Sequence, residues 1–190
     1  MKQNDQNKTN RTLLRITVTA MLMALSVVVG IVCKNFFTWG VYYRVTFENF
    51  PIILAGFCFG PVYGLVAGVG ADALSCLMST NPMINPVISL GAAAVGFLSG
   101  LVPMLLHKQR PHLRGRILLI PTVAAAHLIG QVLIKSIGKI FMLGMPPVGM
   151  LIGLGISCAV GTAEYFLLCL LLRNRPISDT LKGAANYDVF

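Results

Sequence analysis

From Thr12 to Leu172 the chain is a series of apolar runs separated by short polar connectors. The runs are Thr12–Cys33, Phe47–Phe59, Val62–Met78, Pro86–Leu106, Ile117–Lys139 and Val148–Leu172. A helix needs about 20 residues to cross a bilayer, so the second run is short and the others are close to sufficient. Composition points the same way: 56% of the 190 residues are hydrophobic and 11% are charged. A soluble domain carries about a quarter charged residues. The expected fold is therefore an all-α integral membrane protein, with six transmembrane helices in one compact bundle. Residues 1–11 form an N-terminal segment, 12–173 the membrane domain and 174–190 a C-terminal tail.

Gly60-Pro61 separates the second run from the third, because proline lacks an amide donor and restricts the residue before it. Reading Phe50–Met78 as one kinked helix would give five spans instead. Charge placement decides between them. With six spans and both termini cytoplasmic, eleven Lys and Arg residues lie inside. Lys34, Arg44, Lys135 and Lys139 lie outside. Five spans would place the Lys108–Arg116 cluster and the basic C-terminus outside, against the positive-inside tendency.

The net charge of +9 is accounted for by residues that flank spans and meet anionic headgroups. No aromatic-interleaved basic surface is present to stack bases, so no nucleic-acid partner is expected. The first run is too long for a signal peptide, and no small-x-small cleavage site follows it. The five cysteines are scattered through apolar segments and read as small core hydrophobes. No nucleotide-binding loop, zinc motif or Ser-His-Asp arrangement is present. No cofactor and no catalytic site are expected, and any ATP used is hydrolysed by another subunit.

Small residues recur at helical spacing: Ala20 and Ala24, then Gly56, Gly60, Gly64 and Gly68. Ala92, Gly96 and Gly100 follow, and Gly149 and Gly153 lie in the last run. Lipid drives helices together weakly, so such faces serve close backbone contact. Most are expected to pack internally.

The fifth run carries a polar ladder of His127, Gln131, Lys135 and Lys139. Four-residue steps advance about 40° on an α-helix, so the ladder traces one gently spiralling face. Cations in hydrocarbon are costly and tend to face a cavity, a partner or a ligand. Two of them near one helix end suit a ligand that carries negative charge, and snorkelling to the membrane surface is the plainer use. On the same outer side, Trp39, Tyr42, Tyr43 and Phe47 offer stacking surface, or an aromatic belt at the headgroups. Arg44 supplies a fork suited to carboxylates, or pairs with Glu48. Asn85 lies before Pro86, either as a helix cap or as a ligand contact. Asp72 and Glu164 are acids inside apolar runs, read as interhelical partners, and a Lys135–Asp72 pair is a rival account of the ladder.

The stretch Tyr42–Gly64, with YYRVTFENFPIILAGFCFGPVYG, resembles the second-helix region of S components of energy-coupling factor (ECF) vitamin transporters, folate family. Gly70-Ala-Asp72, Asn85–Gly91 and Ile134–Gly138 match in order, so the resemblance spans about residues 12–173. It implies a six-helix bundle in the bacterial cytoplasmic membrane that binds one vitamin, here folate, from outside. It also implies a membrane T subunit and two ATPases as partners, with Ala20 and Ala24 matching the motif that faces the T subunit. Folate joins a pteridine to a glutamate tail. Lys135 and Arg44, with Lys139 nearby, are expected to hold its carboxylates. Gln131 and Asn85 would bond the ring or amide, and Trp39 or Tyr43 would cap it. An S component for riboflavin, thiamine or biotin, or an autonomous secondary transporter, is the alternative. Glu48 departs from the best-known folate binders of this kind.

Overall fold

A computed structural model describes residues 2–39, 43–78, 86–109, 115–144 and 149–174. The described residues form helices joined by turns, with one two-stranded ribbon. Helix α1 (Lys2–Phe36) is followed by strands β1 (Thr38–Trp39) and β2 (Tyr43–Arg44). Then come α2 (Asn49–Phe59), α3 (Pro61–Leu77), α4 (Pro86–Gln109) and α5 (Gly115–Ala125). A π-helical segment, Ala126–Ile134, runs on into α6 (Lys135–Leu143), and α7 (Gly149–Arg173) closes the order. These elements follow the six apolar runs, with α1 extended N-terminally as far as Lys2.

Four stretches are long and apolar enough to cross a membrane: Thr9–Phe36, Pro86–Gln109, Ile117–Phe141 and Leu151–Arg173. Helices α2 and α3 are shorter. An 11-residue helix such as α2 is about 16 Å long, roughly half the thickness of the hydrocarbon core. It is nonetheless the most enclosed element. From Pro51 to Gly60 every residue is buried, and Phe57, Phe59 and Ile53 lie at the centre of the core. Short and wholly apolar, α2 is shielded by protein, so its ends need not reach the membrane surfaces.

Gly60 makes this burial possible. Its φ of 103° is open to glycine and strained for any other residue, and Pro61 starts α3 in the position that wastes no amide. A Cβ on Gly64 would lie 2.8 Å from Gly56 Cα. Residues eight apart on a straight helix are separated by about 12 Å. The chain therefore doubles back at Gly60, and α2–α3 is a hairpin, which rules out the kinked-helix reading of Phe50–Met78.

That hairpin packs on α4 through backbone. A Cβ on Gly96 would overlap the Gly64 carbonyl, and one on Gly64 would overlap that of Gly96. Gly68 stands the same way against the Ala92 carbonyl, and Gly100 against Gly60–Pro61. The small-residue faces of α2, α3 and α4 thus serve internal contact, as their spacing suggested. Helix α7 differs, for a Cβ on Gly153 would meet nothing within 4 Å. Ala20 and Ala24 on α1 are both exposed. A broad apolar surface surrounds the bundle, with Phe141 85%, Leu170 70% and Leu151 69% exposed. Such a surface belongs in hydrocarbon. Among the described residues the cysteines are free, and Cys158 is exposed where a core position was expected.

Overpacking the α3–α4 seam is expected to be costly. Gly96→Ala should destabilise the purified protein by about 1–3 kcal/mol. Gly155→Ala, with open space around it, should be neutral or gain up to about 1 kcal/mol in helix propensity. Thermal unfolding in detergent checks both.

Candidate functional site

The polar ladder does not keep to one face. Hydrogen bonding from i to i+5 widens the turn over Ala126–Ile134, so residues four apart fall short of a full turn. The ladder nevertheless divides between two polar clusters. His127, Gln131 and Lys139 line one cavity, joined by Ser136, by Ser157 of α7 and by Thr46 from the connector before α2. Val132, Ile156 and Val160 supply its apolar wall. Lys135 turns away, towards α1, α2 and α3.

Three polar atoms of the cavity residues, Thr46 Oγ1, Gln131 Oε1 and His127 Nδ1, are buried without a hydrogen-bond partner. A buried polar group left unpaired costs about 1–3 kcal/mol, so three in one place call for a ligand or water to meet them. The cavity holds about 40 Å³, room for a few waters and much less than a vitamin. On the other side of His127 an apolar groove of about 430 Å³ separates α5 from α7, between Ile120 and Leu128 on one side and Tyr165 and Phe166 on the other. Packing is open on this side, and a Cβ on Gly153 would also meet nothing within 4 Å.

His127 forms the floor. Its Nε2 lies 2.7 Å from Glu164 Oε2 of α7, and both side chains are almost fully buried. Gly161, one turn before Glu164, permits the approach: a Cβ there would stand 3.3 Å from the imidazole Cδ2. A neutral ring that donates from Nε2 keeps its lone pair on Nδ1, an acceptor available to the cavity. Glu164 is thus the interhelical partner of a basic residue, as its position in an apolar run suggested.

Lys135 occupies a second polar cluster. Its stem crosses Gly91 of α4, where a Cβ would lie 2.5 Å from Lys135 Cγ, and its Nζ stands 3.7 Å from Glu48 Oε1. Asp72 instead accepts a 2.5 Å hydrogen bond from Ser89 Oγ, so the Lys135–Asp72 pair is replaced by Lys135–Glu48. Asn49, Ser75 and Ser26 complete this cluster, and both side-chain atoms of Asn49 are buried without a partner.

Of the other expected site residues, Trp39, Tyr43 and Arg44 lie on the ribbon, with Trp39 opposite Tyr43 and Thr38 opposite Arg44. Asn85 lies outside the described residues. Gln131 and Lys139 are brought together; Lys135 is separated from them. Sequence reasoning left out Thr46, Ser136 and Ser157 as cavity residues. A hydroxyl spaced one or five residues from the ladder was the available signal for Ser136 and none marked the other two.

The family described as ECF transporter, substrate-specific component, matches residues 14–174. No curated protein matches the chain. Replacing Glu164 by Leu should orphan His127 and cost about 1–3 kcal/mol. Glu164→Gln keeps an acceptor for Nε2–H and should retain most of the stability, as thermal unfolding of the two variants will report.

Proposed function

Because the chain belongs to the substrate-specific components of ECF transporters, which are substrate-binding subunits and not enzymes, we propose that it captures folate. In this reading it takes the vitamin from the outer side of a bacterial cytoplasmic membrane. A T subunit and two ATPases complete the transporter and supply ATP hydrolysis. Six spans with both termini cytoplasmic are part of the same proposal. The α2–α3 hairpin supports them by reversing the chain at Gly60, and the inside excess of Lys and Arg supports the orientation.

The observation that carries the binding role is the convergence of unpartnered Thr46, Gln131 and His127 atoms on a cavity that Lys139 also lines. Acceptors and a hydroxyl of this kind suit the donor-rich edge of a pteridine, and an ammonium suits the glutamate carboxylates. Arg44, Trp39 and Tyr43 on the ribbon and Asn85 before α4 are the further candidates for contact. Outward movement of α7 makes the volume a vitamin needs. Ala20 and Ala24, exposed one turn apart on α1, are the proposed contact with the T subunit.

The single tryptophan, Trp39, reports binding. Titration of the purified protein with folate, riboflavin, thiamine and biotin should give saturable quenching with folate alone. Response to another of these vitamins overturns the cargo and keeps the binding role. Silence to all, with calorimetry in agreement, favours an autonomous transporter. Lys139→Ala should weaken folate binding by about 10- to 100-fold, the worth of one charge-assisted hydrogen bond. Ala20→Leu with Ala24→Leu should abolish co-purification with the T subunit and leave folate binding unchanged.

A further inference from the structure

The wall of the polar cavity is tied from behind. Thr46, whose Oγ1 is buried beside the cavity, lies two residues before Glu48. Ser136, also in the wall, follows Lys135 directly. Glu48 and Lys135 meet at 3.7 Å with side chains only 14% and 9% exposed. Neither of them lines that cavity. At this distance the contact is coulombic rather than a hydrogen bond, and weak screening inside a bundle keeps it strong. Two further bonds hold the same connector. Ser26 Oγ of α1 donates to the Glu48 carbonyl at 2.6 Å. The Val45 amide donates to the Phe37 carbonyl at 3.1 Å, extending the ribbon that carries Trp39 and Arg44.

We propose that Glu48 and Lys135 are positioning residues: their ion pair fixes the connector bearing Thr46 against the helix bearing Ser136, and so sets the cavity wall without touching the ligand. This rests on the reading of the cavity as the vitamin site. It gives Lys135 a different task from the carboxylate anchor that its place in the ladder suggests. An ammonium that already faces a buried carboxylate gains little from a second one, whereas losing Glu48 leaves it buried and uncompensated. The side chain must then move or admit water, and the wall moves with it.

The test uses Glu48→Gln, Lys135→Met and the double variant, each titrated with folate and with 6-hydroxymethylpterin, which has no carboxylate. Each single change should weaken both ligands alike, by about tenfold, and the double should be no weaker than the poorer single. Lys135→Arg keeps the pair and should bind within a few-fold of the parent, a check that survives if Lys135→Met fails to fold. Loss confined to folate in Lys135→Met, with Glu48→Gln neutral, would overturn the proposal and make Lys135 a direct anchor. So would a Lys135→Arg protein that folds and binds as weakly as Lys135→Met.

A ligand-free readout separates this from failure of the vitamin reading. The fluorescence anisotropy decay of Trp39 should show faster local motion in Glu48→Gln than in the parent. If the parent binds neither ligand, the vitamin reading fails and this decay alone decides. Unchanged motion then overturns the positioning pair.

Discussion

Direct backbone contact between Gly64 on α3 and Gly96 on α4 is the constraint on which the bundle depends. Only glycine at both positions lets the two carbonyl ridges interlock. That seam anchors the α2–α3 hairpin, and the 11-residue α2 lies buried at the centre. Helix α4 then presents Gly91 and Val95 to the π-helical segment, where Gly130 and the Lys135 stem lie against them. The wall of the cavity is thus built outward from a glycine contact that has no polar chemistry of its own.

Two buried polar contacts flank the cavity and divide the work. His127–Glu164 ties the π-helical segment to α7 at the floor. Lys135–Glu48 ties α6 to the connector before α2, behind the wall. Polar groups in an apolar bundle persist when they are met, so Glu164 and Glu48 each face a basic residue of another element, and Asp72 accepts from Ser89. The contrast is in the packing around them. The α2–α3–α4 side is closed by backbone contact, while α7 borders a groove and open space.

Much of this is legible in the sequence. The six apolar runs give the helices within a few residues, except that α1 begins ten residues before its run, and Gly60-Pro61 marks the hairpin, because both signals are local. Glycine periodicity in α3 and α4 reads correctly for the same reason. In α7 it does not, since a small residue reveals that contact is possible and not that a neighbour is present. The ladder is the instructive failure. Its four-residue spacing is real, but a π-helical stretch changes the angle per residue, and nothing in the residues Ala126–Ile134 announces it. Lys135 faces Glu48, and Asp72 is met by Ser89. Partner choice of this kind depends on helix rotation, a tertiary property that hydropathy does not encode. The ribbon was likewise hidden, being two residues per strand in a segment that reads as aromatic loop.

The central claim is that the cavity between the π-helical segment, α6 and α7 is where the vitamin binds. Hydrogen exchange of the purified protein, measured with and without saturating folate, tests it most directly. The account predicts protection concentrated in residues 126–139 and 153–160, with the ribbon slowed to a lesser degree. Protection confined to α1, α3 and α4, with those segments unchanged, would contradict it.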